Sequence, residues 1–225
     1  MITTSGGGAL ICQDADSKNN IMWYATQARD AYPYYQHSSI GYNYRMSNIC
    51  AGIGRGQMTV AQAHIDHHKH VQKLYEELFA DVPGITVHSQ PTTGEYDSNY
   101  WLCTIILDEK LKIKDQELAY KEVIKTAVGG VGGAAGVIQA VDTPTTDCQP
   151  NNNVEALRVF MQEKKIEARP VWKPMHKQPV YANAPAYTNG VSEEIFKVGM
   201  CLPAGPYVSD EDVKYIVESI KEAII

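Results

Sequence analysis

The sequence predicts a mixed α/β fold whose second half is an α+β sandwich, one sheet with helices on one face. Three observations carry this. Trp101, Leu102, Cys103, Ile105, Ile106 and Leu107 make a nearly continuous apolar run within residues 99–107, the pattern of a strand buried on both faces. Ile49, Ile53, Val60, Ile65, Val71, Leu74 and Leu78 mark the longest helical pattern, over residues 47–79. From residue 85 onward the patterns alternate strand, helix, helix, strand, helix, with no tandem repeat.

Each element has its own reason. Residues 1–13 join β-branched residues, the turn Gly6-Gly7-Gly8 and a second apolar run, which predicts a β-hairpin. A strand at residue 1 belongs either to a sheet edge or to the sheet of a longer protein. Residues 14–20 read as a polar turn and 21–29 as a short helix. Residues 31–41 read as a loop around Pro33, with Tyr32, Tyr34, Tyr35 and Ser38-Ser39. Gly52, Gly54 and Gly56 each weaken a helix by about 1 kcal/mol relative to alanine, so the long helical pattern should break or kink at residues 56–59. Pro83-Gly84 ends it, and residues 85–88 read as a short strand. Asp115 caps a helix to about residue 128. Residues 129–153 lack periodicity, are rich in Gly, Thr, Pro and Asn, and read as a mobile insertion. Residues 153–165 form a helix with Val154, Leu157, Phe160 and Met161 on one side, followed by a short strand at 166–170. Ser209 caps the last helix, with Asp212 at the capping-box position and Val213, Ile216, Val217 and Ile220 at helical spacing.

Composition narrows the function. The chain has 225 residues, room for one large domain or two small ones, with 44% hydrophobic and 20% charged residues, enough for a core. A net charge of -6 and only five arginines leave no basic stripe, which argues against nucleic acid. Five widely spaced cysteines without a CxxC pair read as reduced thiols. The glycine-rich run 127–140 is too short to span a bilayer, and no targeting segment is visible, so the reading is cytoplasmic and without a membrane.

Two segments concentrate chemistry. Gly41-Tyr42-Asn43-Tyr44-Arg45-Met46-Ser47-Asn48 combines a glycine, two hydroxyls, an amide and a guanidinium fork suited to phosphate or carboxylate. Ser47 or Asn48 can cap the following helix, whose N-terminus favours an anion. A plain polar loop with a cap is the alternative. In the second, Ala168-Arg169-Pro170-Val171-Trp172-Lys173-Pro174-Met175-His176-Lys177-Gln178-Pro179, three prolines fix an extended path presenting aromatic and cationic groups. That suits an anionic ligand with a flat ring; a proline-rich surface loop is the alternative.

These segments, with the opening residues, resemble the DegT-type (DegT/DnrJ/StrS) family of pyridoxal-phosphate-dependent sugar aminotransferases. Ile2-Thr3-Thr4-Ser5-Gly6-Gly7-Gly8 looks like the family strand that follows the cofactor lysine. Gly41–Asn48 is similar to the family signature, Arg169-Pro170-Val171-Trp172-Lys173-Pro174-Met175-His176 to its substrate loop, and Gly199-Met200-Cys201-Leu202-Pro203-Ala204-Gly205 to its closing motif. The resemblance implies an α/β fold, the C-terminal part of a type I PLP-dependent aminotransferase. Residues 1–58 would be a remnant of the large PLP-binding domain, and 59–225 a small α+β domain with the insertion at about 129–153. It implies a homodimer with active sites between subunits. Asn43 would reach the neighbouring subunit's cofactor phosphate and Arg45 would hold cofactor or substrate acid. Tyr42, Trp172, Lys173, Met175 and His176 would line a nucleotide-sugar pocket. The implied reaction moves an amino group from glutamate to a nucleotide-linked keto sugar, in cell-surface polysaccharide or amino-sugar biosynthesis.

In the family the Schiff-base lysine lies just before a stretch like Met1-Ile2-Thr3-Thr4, so the expectation is no catalytic residue in this chain and no transamination by it alone. Lys18 sits in a polar turn, and Lys173 reads as a ligand contact. Three readings follow: a fragment that needs a missing N-terminal half; an inactive remnant or partner module that binds a nucleotide sugar or a full-length homologue; or an autonomous α+β binding domain. The fragment readings predict exposed apolar surface on the opening hairpin and residues 21–53.

Other patterns are weaker. Gly130-Val131-Gly132-Gly133-Ala134-Ala135 fits G-x-G-x-x-A but follows a helix pattern, against a dinucleotide loop. His64 and His68 have i,i+4 chelating spacing, yet no HExxH accompanies them, and the expectation is a solvated helix face with no metal. His37 and His88 show no partner, and Cys103 and Cys201 read as core thiols. The tyrosines between residues 24 and 44 suggest an interface, a ligand wall or packing.

Overall fold

The computed structural model describes residues 1–91, 93–114 and 148–225. The helix expected after Asp115 and the insertion up to residue 147 lie outside the described residues. The described chain forms two compact units, Met1–His64 and Ile65–Ile225.

The first unit holds α1 (Ala15–Ala25), α2 (Asn48–Met58) and the start of α3 (Ala61–Phe79). Helix α1 begins at Ala15, six residues before the predicted start at residue 21, because Asp14 accepts from Ser17 N at 2.7 Å and caps it. Residues 14–20 are therefore mostly helix, not a turn. The chain breaks at Thr59-Val60, where the glycine pattern placed the weak point, and Ser47 caps α2 by accepting from Cys50 N at 3.2 Å. The predicted hairpin over residues 1–13 does not form: the described residues there carry no strand, and Leu10 and Ile11 are exposed. An isolated two-stranded hairpin is marginal in water, and the segment's start instead lies against α2, with Thr3 N donating to Gln57 Oε1 at 3.2 Å. Ala28 is the one buried residue among residues 1–64. Ile49, Ile53, Met58 and most of the tyrosines between 24 and 44 face solvent, as the fragment readings require.

The second unit is built on a four-stranded antiparallel sheet, order β1-β2-β4-β3, from β1 (Ile85–Val87), β2 (Cys103–Leu107), β3 (Arg169–Pro170) and β4 (Gly199–Leu202). Cys103 pairs with Leu202 and Ile105 with Met200, so these side chains share one face. That face meets α3 through Val71 and Tyr75, α4 (Asn152–Glu163) through Val154, Leu157 and Met161, and the last helix, α6 (Asp210–Ala223), through Val213, Val217 and Ile220. Ser209 and Asp212 complete a capping box on α6, as the sequence predicts.

Three corrections concern this unit. Strand β2 starts at Cys103, and only Cys103, Ile105 and Leu107 are fully buried; Thr104 and Ile106 are half-covered. The apolar run at 101–102 lies outside the strand because Tyr100 takes a left-handed φ of 43° and Asn99 Oδ1 turns the chain by accepting from Trp101 N at 3.2 Å. The central strand β4, and α5 (Val191–Val198) that leads into it, were not foreseen as elements. Helix α5 has eight residues and follows Gly190, which supplies no side-chain cap. It lies near β2, its Ile195 and Val198 lining a cleft with Ile106. The histidines of α3 do not all face solvent: His68 is buried, whereas His70 stays half exposed with Nε2 2.7 Å from Asp210 Oδ1.

Candidate functional site

The first polar segment lies in the first unit. Gly41 packs so tightly on Gln27 and Ala28 that a Cβ would stand 2.4 Å from Ala28 N, so glycine is required there. The chain then runs antiparallel to the end of α1. Tyr42 N donates to Tyr24 O at 3.0 Å, Gln27 N to Tyr42 O at 3.1 Å, and Tyr44 N to Ala25 O at 3.0 Å. His37 gains a partner in the same corner, its Nδ1 2.9 Å from Gln27 O. This ladder leaves Asn43 and Arg45 exposed, with Tyr42 and Tyr44 stacked at 5.3 Å, just before the N-terminus of the eleven-residue α2. An amide, a guanidinium and open helix N–H groups fit a phosphate.

The second segment lies in the second unit, where its residues diverge. Trp172 borders a cleft of about 600 Å³ formed with Trp101, Arg169, Pro203 and Gly205. The two indoles are 5.7 Å apart at 33°, and both are more than half exposed, at 59% and 66%. Arg169 pairs with Glu167 at the rim. The opposite wall is the closing motif, held from beneath by Tyr75, whose buried hydroxyl donates to Pro203 O at 2.9 Å. Burial pushes the Cys201 thiol in this wall up to about 11 and that of Cys103 up to about 12, which keeps both protonated and inert.

Lys173 and His176 turn elsewhere. Lys173 Nζ donates to Cys148 O at 2.7 Å. His176, in a 3₁₀ turn at Met175–Lys177, places Nε2 2.7 Å from Glu193 Oε1 on α5. The His176 contact, with help from the Ser192 hydroxyl, holds the Glu193 carboxyl down at about 2. Met175 is exposed. Sequence reasoning overlooked Trp101, Glu193 and Tyr75. Asn99 was the available signal for Trp101, since a turn residue there takes the tryptophan off the strand.

Lys69, Lys164 and Lys197 each donate to a carboxylate, Asp97, Glu222 and Glu194, and these hydrogen bonds raise their pKa. A nucleophilic amine needs the opposite shift. No group of three or more metal-ligating side chains occurs among the described residues, and none of their helices is long and apolar enough to cross a membrane.

The chain is 31% identical over 222 residues to the putative pyridoxal phosphate-dependent aminotransferase EpsN of Bacillus subtilis, covering 97% of this chain and 46% of EpsN. It is 27% identical to the GDP-perosamine synthase of Escherichia coli O157:H7, covering 98% of this chain and 48% of that enzyme. Its fold matches Helicobacter pylori PseC, an aminotransferase involved in the biosynthesis of pseudoaminic acid, with a TM-score of 0.67 at 18% identity, over 99% of this chain and 50% of PseC. The chain spans about half the length of the curated relatives it matches. The profile of one family matches residues 1–131 and 135–221, and the chain belongs to that family, the DegT/DnrJ/EryC1/StrS aminotransferases.

Proposed function

We propose that the chain supplies the ligand-recognition half of a PLP-dependent sugar aminotransferase that transfers an amino group from glutamate to a nucleotide-linked keto sugar. The observation that supports this most is the cleft between Trp101, Trp172, Arg169 and the closing motif, in a chain of this family. Two exposed indoles offer flat faces for a base, and Arg169 offers a fork for its phosphates. Asn43 and Arg45 would reach the cofactor phosphate of a neighbouring subunit in a homodimer, with Tyr42 on the substrate side, from a first unit that would represent the end of the cofactor domain. Lys173, Met175 and His176 would contact the sugar side. When bound, PLP would supply the electron sink for amino-group transfer. The chain's own residues bind and orient. By the family resemblance the lysine for covalent attachment would not be one of this chain's own, so the chain alone would bind without transaminating.

Adding GDP to the purified chain tests this. Saturable quenching of tryptophan fluorescence, abolished by Trp172→Ala, is the expected result; no quenching by GDP, UDP or TDP would overturn the nucleotide reading. Borohydride-stable attachment of PLP to a lysine of this chain would overturn the inactivity. A second reading, a non-catalytic module that docks on a full-length homologue, draws support from the first unit's exposed apolar side chains. It predicts capture of a homologue without nucleotide binding.

A further inference from the structure

We infer that Glu193 is a positioning residue: it fixes His176 in one ring orientation and one tautomer, so that the imidazole offers Nδ1 as an acceptor to a hydroxyl of the ligand. This rests on the reading of His176 as a substrate-side residue.

The geometry is specific. Nε2 of His176 stands 2.7 Å from Glu193 Oε1, and both side chains are largely shielded, at 19% and 17% exposure. The second carboxylate oxygen accepts from Ser192 Oγ at 3.0 Å, so Glu193 is itself held. A carboxylate kept ionised down to a pH of about 2 accepts only, so the ring nitrogen facing it carries the proton. In a neutral imidazole the other nitrogen, Nδ1, is then an acceptor. The supports are independent of each other. His176 sits on a 3₁₀ turn between Pro174 and Pro179, which limits its backbone. Glu193 sits in the first turn of α5, which enters β4 directly at Gly199. The pair therefore ties the substrate-loop turn to the central strand of the sheet. Elsewhere in the segment Lys173 Nζ donates to Cys148 O, and Arg169 pairs with Glu167 at the rim of the cleft.

Nitrogen-15 NMR of the full chain, labelled at histidine, tests this above pH 8, where a free imidazole is neutral. The wild-type His176 ring should show a single Nε2–H tautomer. Glu193→Leu, similar in volume and without an acceptor, should lose that signature and give a mixture. Glu193→Gln, whose amide oxygen can still accept, should restore it. An Nδ1–H ring in the wild type, or a Glu193→Leu spectrum like the wild type, would overturn the assignment, as would Glu193→Gln behaving like Glu193→Leu. The wild-type measurement needs no variant to fold. None of these readouts needs a ligand, so their failure removes the positioning role alone, whereas failure of GDP to bind removes the nucleotide reading alone.

Discussion

Single residues in the second unit divide between those that build the cleft and those that face it. Tyr75 builds it. Its ring is fully buried and its hydroxyl serves Pro203 O, while burial holds the phenol protonated. Tyr75→Phe leaves that carbonyl without its donor and should cost about 1–3 kcal/mol in a urea titration. The same change should weaken GDP quenching, because the wall at Pro203–Gly205 loses its anchor. Roles of this kind were only partly legible. The sequence placed Trp172 and His176 in one segment because three prolines and a run of aromatic and cationic residues are visible without coordinates. The partners, Trp101 and Glu193, lie 71 and 17 residues away in the chain (172 minus 101, and 193 minus 176), and no local pattern links residues so far apart.

Elements were legible where a cap or a long period marked them. The break at Thr59-Val60, the Ser47 cap and the Ser209–Asp212 capping box follow from residue types alone. Ser209→Ala removes two side-chain contacts to Asp212, at 2.8 and 3.1 Å, and should lower stability by about 1 kcal/mol, read from the denaturation midpoint at unchanged slope. Elements were illegible where neighbours define them. Strand β4 has four residues and begins with glycine, yet it pairs on both edges and is buried throughout. Its strand character comes from β2 and β3, not from propensity. The opening segment shows the converse: a good hairpin pattern stays unpaired, with Leu10 and Ile11 left exposed.

At the scale of the whole molecule the two units differ in kind. The second has a continuous core from Val71 to Ala223; the first buries one residue, Ala28. Amides of α1 and α2 should therefore exchange with deuterium far faster than those of β2, β4 and α6, and the chain should bind a hydrophobic dye or self-associate. Slow exchange across α1 in a monomeric, dye-silent sample would contradict this.

The joint at Gly199 has a consequence for how such a protein diversifies. Helix α5 passes into β4 without a linker, and a Cβ at Gly199 would stand 2.6 Å from Ile195 O and 2.9 Å from Val171 Cγ2. Gly199 is thus closed to larger residues, because a side chain there would displace the helix or the sheet. The exposed stretch from Val180 to Tyr187 carries no such penalty. Descendants that acquire new ligand preferences should accumulate their replacements in that stretch and leave the helix-to-strand joint untouched.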